Sequence, residues 1–228
     1  MRSIETRAEG GDTSDAERGI VLRDKLNEDQ NALLDDALSG NGEAVNTVVV
    51  GNDEAVFNLW RAELIKRGVD EKKLDREIES LRLRGRIVAR IYEEVDNRKK
   101  NGPPPDVDEL ALGVFREAIE PQVRDAVMAL RAKGYTTTSS GFAEGDWQGV
   151  FFAEDFSQTL PPETLKALSD EGVKVRGNCL AFRAVAIDER AMKDQWDKIV
   201  ALLPDRGTPA APSNMPSAAS FRDRYSLE

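Results

Sequence analysis

The sequence predicts an α+β protein: an α-helical N-terminal region, expected to be a helical hairpin, followed by an α-β-β-α-β-β-α domain. Three observations predict this fold class. A heptad pattern of apolar residues precedes position 101, a proline run at 103–105 interrupts the chain, and two hairpin patterns follow it, each leading into a helical pattern. Because short hairpins pair antiparallel strands, we expect a four-stranded, mainly antiparallel sheet with helices on one face.

The N-terminal region begins with a polar stretch. We expect residues 1–13 to be disordered, because they show no apolar periodicity. A helical pattern then runs from Ser14, an N-cap residue type with Glu17 in the capping-box position, to the break at Gly40. The β-branched run 45–50 fits either a strand or the start of the next helix.

A longer helix, from Asp70 to about Lys100, has the most regular apolar pattern in the chain. Its apolar positions are spaced alternately by four and three residues, with a glycine at one of them: Leu74, Ile78, Leu81, Gly85, Val88, Tyr92 and Val95. A heptad of this kind favours a seam inside a helical hairpin. The alternative is a homodimer through Leu74, Ile78, Leu81, Val88 and Tyr92.

The proline triplet predicts the domain border, because proline cannot continue a helix. We therefore expect a helical region at 14–101, a proline-rich linker at 102–105 and an α+β domain at 106–206. Residues 207–228, rich in Pro, Ala and Ser, are expected to form a flexible tail.

The second domain opens with helical patterns. Asp106 or Asp108 is expected to cap its first helix, and Pro121 either kinks that helix or begins a new one. Strand patterns follow at 135–140 and 147–156.

The second hairpin pattern repeats this arrangement. Pro161-Pro162 begins a short helix, and strands at 173–176 and 180–187 flank Gly177-Asn178, a two-residue turn that tolerates positive φ. Asp188 is expected to cap the last helix.

Composition excludes several function classes. The chain has 228 residues, a net charge of −10, no histidine and one cysteine. A Ser-His-Asp or Cys-His centre, a histidine-containing zinc site and an intrachain disulfide are therefore excluded. No apolar run approaches the roughly 20 residues needed to cross a bilayer. We expect a cytoplasmic protein with no membrane contact, no metal and no cofactor.

Charge is unevenly distributed along the chain. The net charge is −8 over residues 1–60, +4 over 61–100 and −6 over 101–228. Arg82, Arg86 and Arg90 recur every fourth residue and so share one helix face. This row is the candidate site for a protein partner with an acidic surface. Internal pairing of the arginines is the alternative, and the acidic composition disfavours nucleic acid.

A hydroxyl-rich run provides a second candidate site. Threonine and serine occupy 136–140, before glycine-containing turn residues that could hold a small anion through hydroxyl and backbone N–H groups. The candidate ligand loop consists of Thr138, Ser140, Gly141, Glu144 and Trp147. The P-loop pattern is absent, and an ordinary strand and turn is the alternative.

The sequence contains no catalytic motif, so the leading hypothesis is a non-enzymatic protein-binding or adaptor protein that uses the seam and the arginine row. The alternative is a small-molecule or phosphate-handling enzyme with a pocket near 136–147. A third hypothesis is an acidic, chaperone-like dimer, which rests on composition alone.

Overall fold

The computed structural model describes residues 23–143, 145–155 and 157–207. Eight α-helices and one four-stranded antiparallel sheet lie within these residues, which confirms the predicted α+β class with its N-terminal helices. One compact unit ends at Asp75 and a second begins at Arg76. The predicted disordered N-terminus, the Ser14 cap and nearly all of the predicted tail lie outside the described residues.

The first unit contains three short helices, which are α1 (Glu28–Leu38), α2 (Gly42–Val50) and α3 (Glu54–Lys66). Each begins at a polar N-cap, and these caps are Asn27, Asn41 and Asp53. Gln30 in α1 donates a hydrogen bond of 2.7 Å to Asp53, and that bond is the main reason why the pKa of Asp53 is lowered. Val48 and Val49 are buried helical residues, so the β-branched run at 45–50 belongs to a helix and not to a strand.

Helix α4 (Glu71–Asn101) changes its buried face along its length. Leu74 and Ile78 are 2% and 6% exposed, in agreement with the heptad pattern. Further along, the buried apolar residues are Leu83, Ile87 and Val95, which belong to a different set of helical positions. The predicted seam therefore ends within the first third of the helix.

The division between the units falls inside α4 and not at the prolines. Leu83 and Ile87 pack with Phe142, and Val95 packs with Phe115, so residues 76–101 belong to the second unit. The expected border at 102–105 therefore lies within that unit. A proline run ends a helix, but it does not prevent that helix from packing against the chain that follows.

The remaining elements follow the predicted order. They are α5 (Val107–Leu112), a 3-10 turn (Arg116–Ala118), α6 (Pro121–Ala132), β1 (Thr137–Phe142), β2 (Trp147–Phe152), α7 (Pro162–Asp170), β3 (Val173–Arg176), β4 (Cys179–Arg183) and α8 (Glu189–Leu202). Asp106 forms a capping box with Glu109, and Asp188 accepts from the backbone N–H of Ala191. Pro121 begins a new helix, which decides between the two interpretations that the sequence left open.

The strands are ordered β1-β2-β4-β3, and every neighbouring pair is antiparallel. One face of the sheet carries a buried apolar core together with helices α6, α7 and α8. Its members include Val123, Val127, Leu130, Val150, Phe152, Leu168, Val173, Leu180, Phe182, Trp196 and Ile199. The rings of Phe182 and Trp196 meet edge to face at 4.9 Å between centroids.

Strand β1 contains an irregularity that changes its side-chain alternation. Thr137 pairs with Phe152 and Ser139 pairs with Phe151, so Thr138 is an extra residue in β1. A bulge of this kind shifts the residues beyond it by one position relative to simple alternation. Simple alternation would place Thr136, Thr138 and Ser140 on one face, whereas the bulge places Ser140 on the core side, opposite Val150.

Candidate functional site

The sheet has a second face that carries none of the apolar core. The strand register assigns ten residues to this outward face, which are Ser139, Gly141, Trp147, Gly149, Phe151, Lys174, Arg176, Cys179, Ala181 and Arg183. Ser139, Lys174, Arg176 and Arg183 are exposed, while Trp147, Phe151, Cys179 and Ala181 are half-buried. We consider this outward face the candidate binding surface.

Small residues form a row across the middle of the outward face. Gly141, Gly149 and Ala181 are direct neighbours on β1, β2 and β4. A Cβ atom at Gly149 would lie 3.8 Å from Cε2 of Phe151, so the phenylalanine ring leans over this glycine. Gly141 and Gly149 are buried and Ala181 is half-buried, so neighbouring side chains cover most of this row.

A tryptophan lies beside this row, and a lysine lies at its β3 end. The Nζ atom of Lys174, from β3, sits 4.3 Å from the ring centroid of Trp147, from β2. Such a contact is worth about 0.5–1 kcal/mol at an exposed site. It holds the indole and the ammonium group together at the surface, where both can contact a partner.

The outward face is locally basic. Its ten positions carry three cations, Lys174, Arg176 and Arg183, and no carboxylate. Arg183 pairs with Asp146, so the positive charge of the face lies mainly at β3, on Lys174 and Arg176. A charge of that sign attracts an anionic group.

A buried carboxylate forms ion pairs at the end of the outward face where β2 begins. Asp146, which precedes β2, accepts hydrogen bonds from Arg183 at 2.7 Å and from Arg76 of α4. Burial alone would raise the pKa of Asp146, but the two arginines outweigh burial and lower it. Arg76 also donates to the carbonyl of Ala184, and Ser80 donates to the carbonyl of Gly145 at 2.6 Å. These contacts fix the turn between β1 and β2 to α4.

The predicted ligand loop is divided between locations. Gly141 and Trp147 lie on the outward face, whereas Ser140 pairs with Val150 on the core side. Thr138 is the exposed extra residue of the bulge. Glu144 lies outside the described residues. The four positions that the structure describes therefore do not converge on one pocket.

Gly141 lies against a carboxyl group that sequence reasoning did not identify. Its φ is +117°, and a Cβ atom there would collide with the carboxyl group of Glu120. Glu120 accepts from the backbone N–H of Phe142 at 3.1 Å and from the side-chain amide of Gln122 at 2.5 Å. Burial raises the pKa of Glu120 despite these two bonds. The space beside Gly141 is thus filled by the protein's own acidic side chain.

One arginine of the predicted row forms ion pairs within the second unit. Arg90 pairs with Glu189 at 2.5 Å and lies 3.8 Å from Glu94. Arg82 and Arg86 are exposed, and Arg82 takes part in a further contact. Because Arg90 forms ion pairs within the chain, Arg82 and Arg86 are the exposed members of the predicted row.

The outward face had a signal in the sequence, although it was not recognised as a site. Trp147, Gly149 and Phe151 alternate along β2, as Lys174 and Arg176 do along β3. Cys179, Ala181 and Arg183 alternate along β4 in the same way. Burial raises the pKa of the Cys179 thiol. The sequence of a single strand does not show that these residues of β2, β3 and β4 lie side by side in the sheet.

No helix within the described ranges combines the length and apolar character needed to cross a membrane. In the same ranges, no cluster of three or more potential ligands is arranged to hold a metal ion. Comparisons of the chain with protein-family models, curated proteins and solved structures gave no match. The functional argument therefore rests on the geometry of the site.

Proposed function

We propose that the protein is a non-catalytic binding protein whose outward sheet face binds an extended, acidic segment of a partner protein. The observation that carries this proposal is the outward face itself, with two half-exposed aromatic rings, Trp147 and Phe151, and two exposed cations, Lys174 and Arg176, at its β3 end. The arginine row remains a second candidate contact for an acidic partner, with Arg82 and Arg86 as its exposed members.

Each part of the face matches a feature of such a segment. Trp147 and Phe151 offer apolar area on either side of the small-residue row, and buried aromatic anchors dominate the energetics of many interfaces. Lys174 and Arg176 lie at the β3 end of the face, where they can pair with carboxylates.

A protein partner fits better than a nucleic acid. Tight binding to a nucleic acid backbone commonly uses about 6–10 phosphate contacts. The outward face carries only three cations, and one of them, Arg183, already pairs with Asp146. The net charge of −10 also repels a polyanion at long range.

The alternative proposal of a phosphate-handling enzyme has less support. Its pocket requires an anion near Gly141, but the carboxyl group of Glu120 lies against that glycine. Even with a raised pKa, a carboxyl group there competes for the same backbone N–H of Phe142 that would bind an anion. The third hypothesis, a chaperone-like dimer, has no observation of its own beyond composition.

The test is fluorescence anisotropy with labelled decapeptides. One probe alternates glutamate with leucine, a second replaces glutamate with lysine, and a third is a single-stranded oligonucleotide of ten thymidines. We expect the acidic peptide to bind, with an affinity that falls as salt is raised. Lys174→Ala/Arg176→Ala and Trp147→Ala should each weaken it by about tenfold or more.

A matched control separates this local effect from overall charge. Lys72→Ala/Lys198→Ala removes the same two charges from exposed positions on helices, so it should leave the affinity nearly unchanged. Equal losses in both double variants would contradict a site on the sheet. Selective binding of the oligonucleotide would make nucleic acid the ligand class and reject the proposal.

A further inference from the structure

We propose that a second copy of this chain packs antiparallel along an exposed stripe of α4, with Tyr92 of each copy placed over Gly85 of the other. The α4 stripe consists of Gly85, Val88, Ala89 and Tyr92. The surface is separate from the outward sheet face, and neither proposal depends on the other.

The stripe is apolar and accessible. Val88 is 38% exposed and Tyr92 is 73% exposed, and they lie four residues apart, one turn along the helix. Leu83, Ile87 and Val95 of the same helix pack into the second unit, so the stripe lies on the side of α4 turned away from that core. A single exposed apolar residue is ordinary on a protein surface, so the stripe indicates an interface because its apolar positions are contiguous.

Only part of the seam that the heptad pattern predicted is accessible to a second copy. Leu74 and Ile78 are buried within the single chain and are therefore not accessible to a second copy. Leu81 is half-buried. The accessible part of the heptad begins at Gly85, which shortens the contact to about two helical turns.

The stripe is complementary to itself in the antiparallel direction. A two-fold axis between positions 88 and 89 places Val88 against Ala89 of the other copy. The same axis places the largest residue of the stripe, Tyr92, against Gly85, which has no side chain. A two-fold interface requires such reciprocal pairs, because each patch must fit its own copy.

Charges beside the stripe favour the same direction. Arg86 and Glu93 are both exposed and lie on one flank of the stripe. In the antiparallel pair, Glu93 is offset from Arg86 of the other copy by two residues, or about 3 Å along the axis. A parallel pair would instead place this flank beside the opposite flank of the other copy, where Arg86 would lie close to the exposed Arg84. This charge complementarity is the reason for assigning the stripe to a second copy.

The first test is the molecular mass in solution, measured for the full chain by light scattering and sedimentation over a wide concentration range. We expect a species of twice 25.2 kDa at high concentration. Tyr92→Glu should weaken self-association by about tenfold or more. Val185→Glu is the matched control, because Val185 is also exposed but lies outside the stripe, and it should have no effect.

The charge flank has its own test. Arg86→Glu and Glu93→Arg should each weaken the dimer, because each places like charges opposite one another. The double variant restores opposite charges and should recover most of the wild-type affinity. Thermal unfolding of each variant checks that the monomer remains folded, which is expected because both side chains are exposed.

Cross-linking distinguishes the two directions. In a Cys179→Ser background, Val88→Cys should form an intermolecular disulfide. Tyr92→Cys should not, since the antiparallel register separates the two copies of position 92 by seven residues, or about 10 Å along the axis. A disulfide at position 92, or a protein that stays monomeric at all concentrations, would overturn the proposal and leave the stripe to another occupant.

Discussion

The two faces of the sheet use the same four strands for different purposes. On the core side, Val150, Leu180 and Phe182 are fully buried among side chains from α6, α7 and α8. On the outward side, Trp147 and Phe151 remain half-exposed next to glycine and alanine. From this difference in burial, we expect apolar residues on the core face to contribute more to the free energy of unfolding than the half-exposed aromatic residues on the outward face.

The largest expected effect is on the core face. Phe182→Ala removes a fully buried ring from beside Trp196 and should lower the free energy of unfolding by about 3–5 kcal/mol. Phe151→Ala is the matched change on the outward face, and it should cost less than half as much. Urea unfolding of both variants measures the difference. Equal costs would mean that the outward face is as important for stability as the core.

A smaller effect is expected where the outward face joins α4. Asp146→Asn removes the charge that pairs with Arg76 and Arg183 and should cost about 1–3 kcal/mol at pH 7. The pKa of Asp146 is lowered in the folded state, so its contribution is present above the unfolded pKa of about 4 and is lost as pH falls through the folded pKa.

Unfolding free energies of Asp146→Asn and the wild type between pH 2 and pH 7 should therefore converge at the acidic end. Asp170→Asn serves as the control, because Asp170 forms an exposed ion pair with Lys166. That change should cost no more than about 0.5 kcal/mol. A constant gap between Asp146→Asn and the wild type at every pH would contradict the role assigned to the charge of Asp146.

The smallest effect on stability is expected at the β3 end of the outward face. Lys174→Ala removes the cation above Trp147 and should change the free energy of unfolding by less than about 1 kcal/mol. Chemical denaturation measures this change. If it exceeds about 2 kcal/mol, Lys174 has a structural role, and the contrast between the two faces is weaker than described.

Local chemistry made much of the second unit predictable. The Gly177-Asn178 turn, the caps at Asp106 and Asp188 and the helix start at Pro121 depend on residues within a few positions of one another. Alternation along β2 and β4 was also readable in the sequence. These features together led to the correct fold class.

Other features depended on contacts between distant residues. The bulge at Thr138 changes which side chains share a face, and no local pattern in a run of threonine and serine indicates it. Asp146 and Arg76 are 70 residues apart in the chain, so their pairing could not be inferred from spacing. The candidate ligand loop was consequently divided between two faces of the sheet.

The buried face of helix α4 was only partly predicted, for a different reason. Its sequence contains two apolar sets, one continuing from Leu74 through Val88 and another formed by Leu83, Ile87 and Val95. Both have helical spacing, and the heptad pattern favours the first. Packing with Phe142 and Phe115 buries the second set in the second unit, and this choice depends on the partner surface and not on the periodicity of the helix.

Because Trp147 is half-exposed, its intrinsic fluorescence can report on the outward face. The chain has three tryptophans, and the other two, Trp60 and Trp196, are 4% and 0% exposed. A water-soluble quencher should therefore reach Trp147 first, and a segment that covers the face should shield it. The protein thus carries an intrinsic optical reporter of occupancy at this surface, which requires no added label.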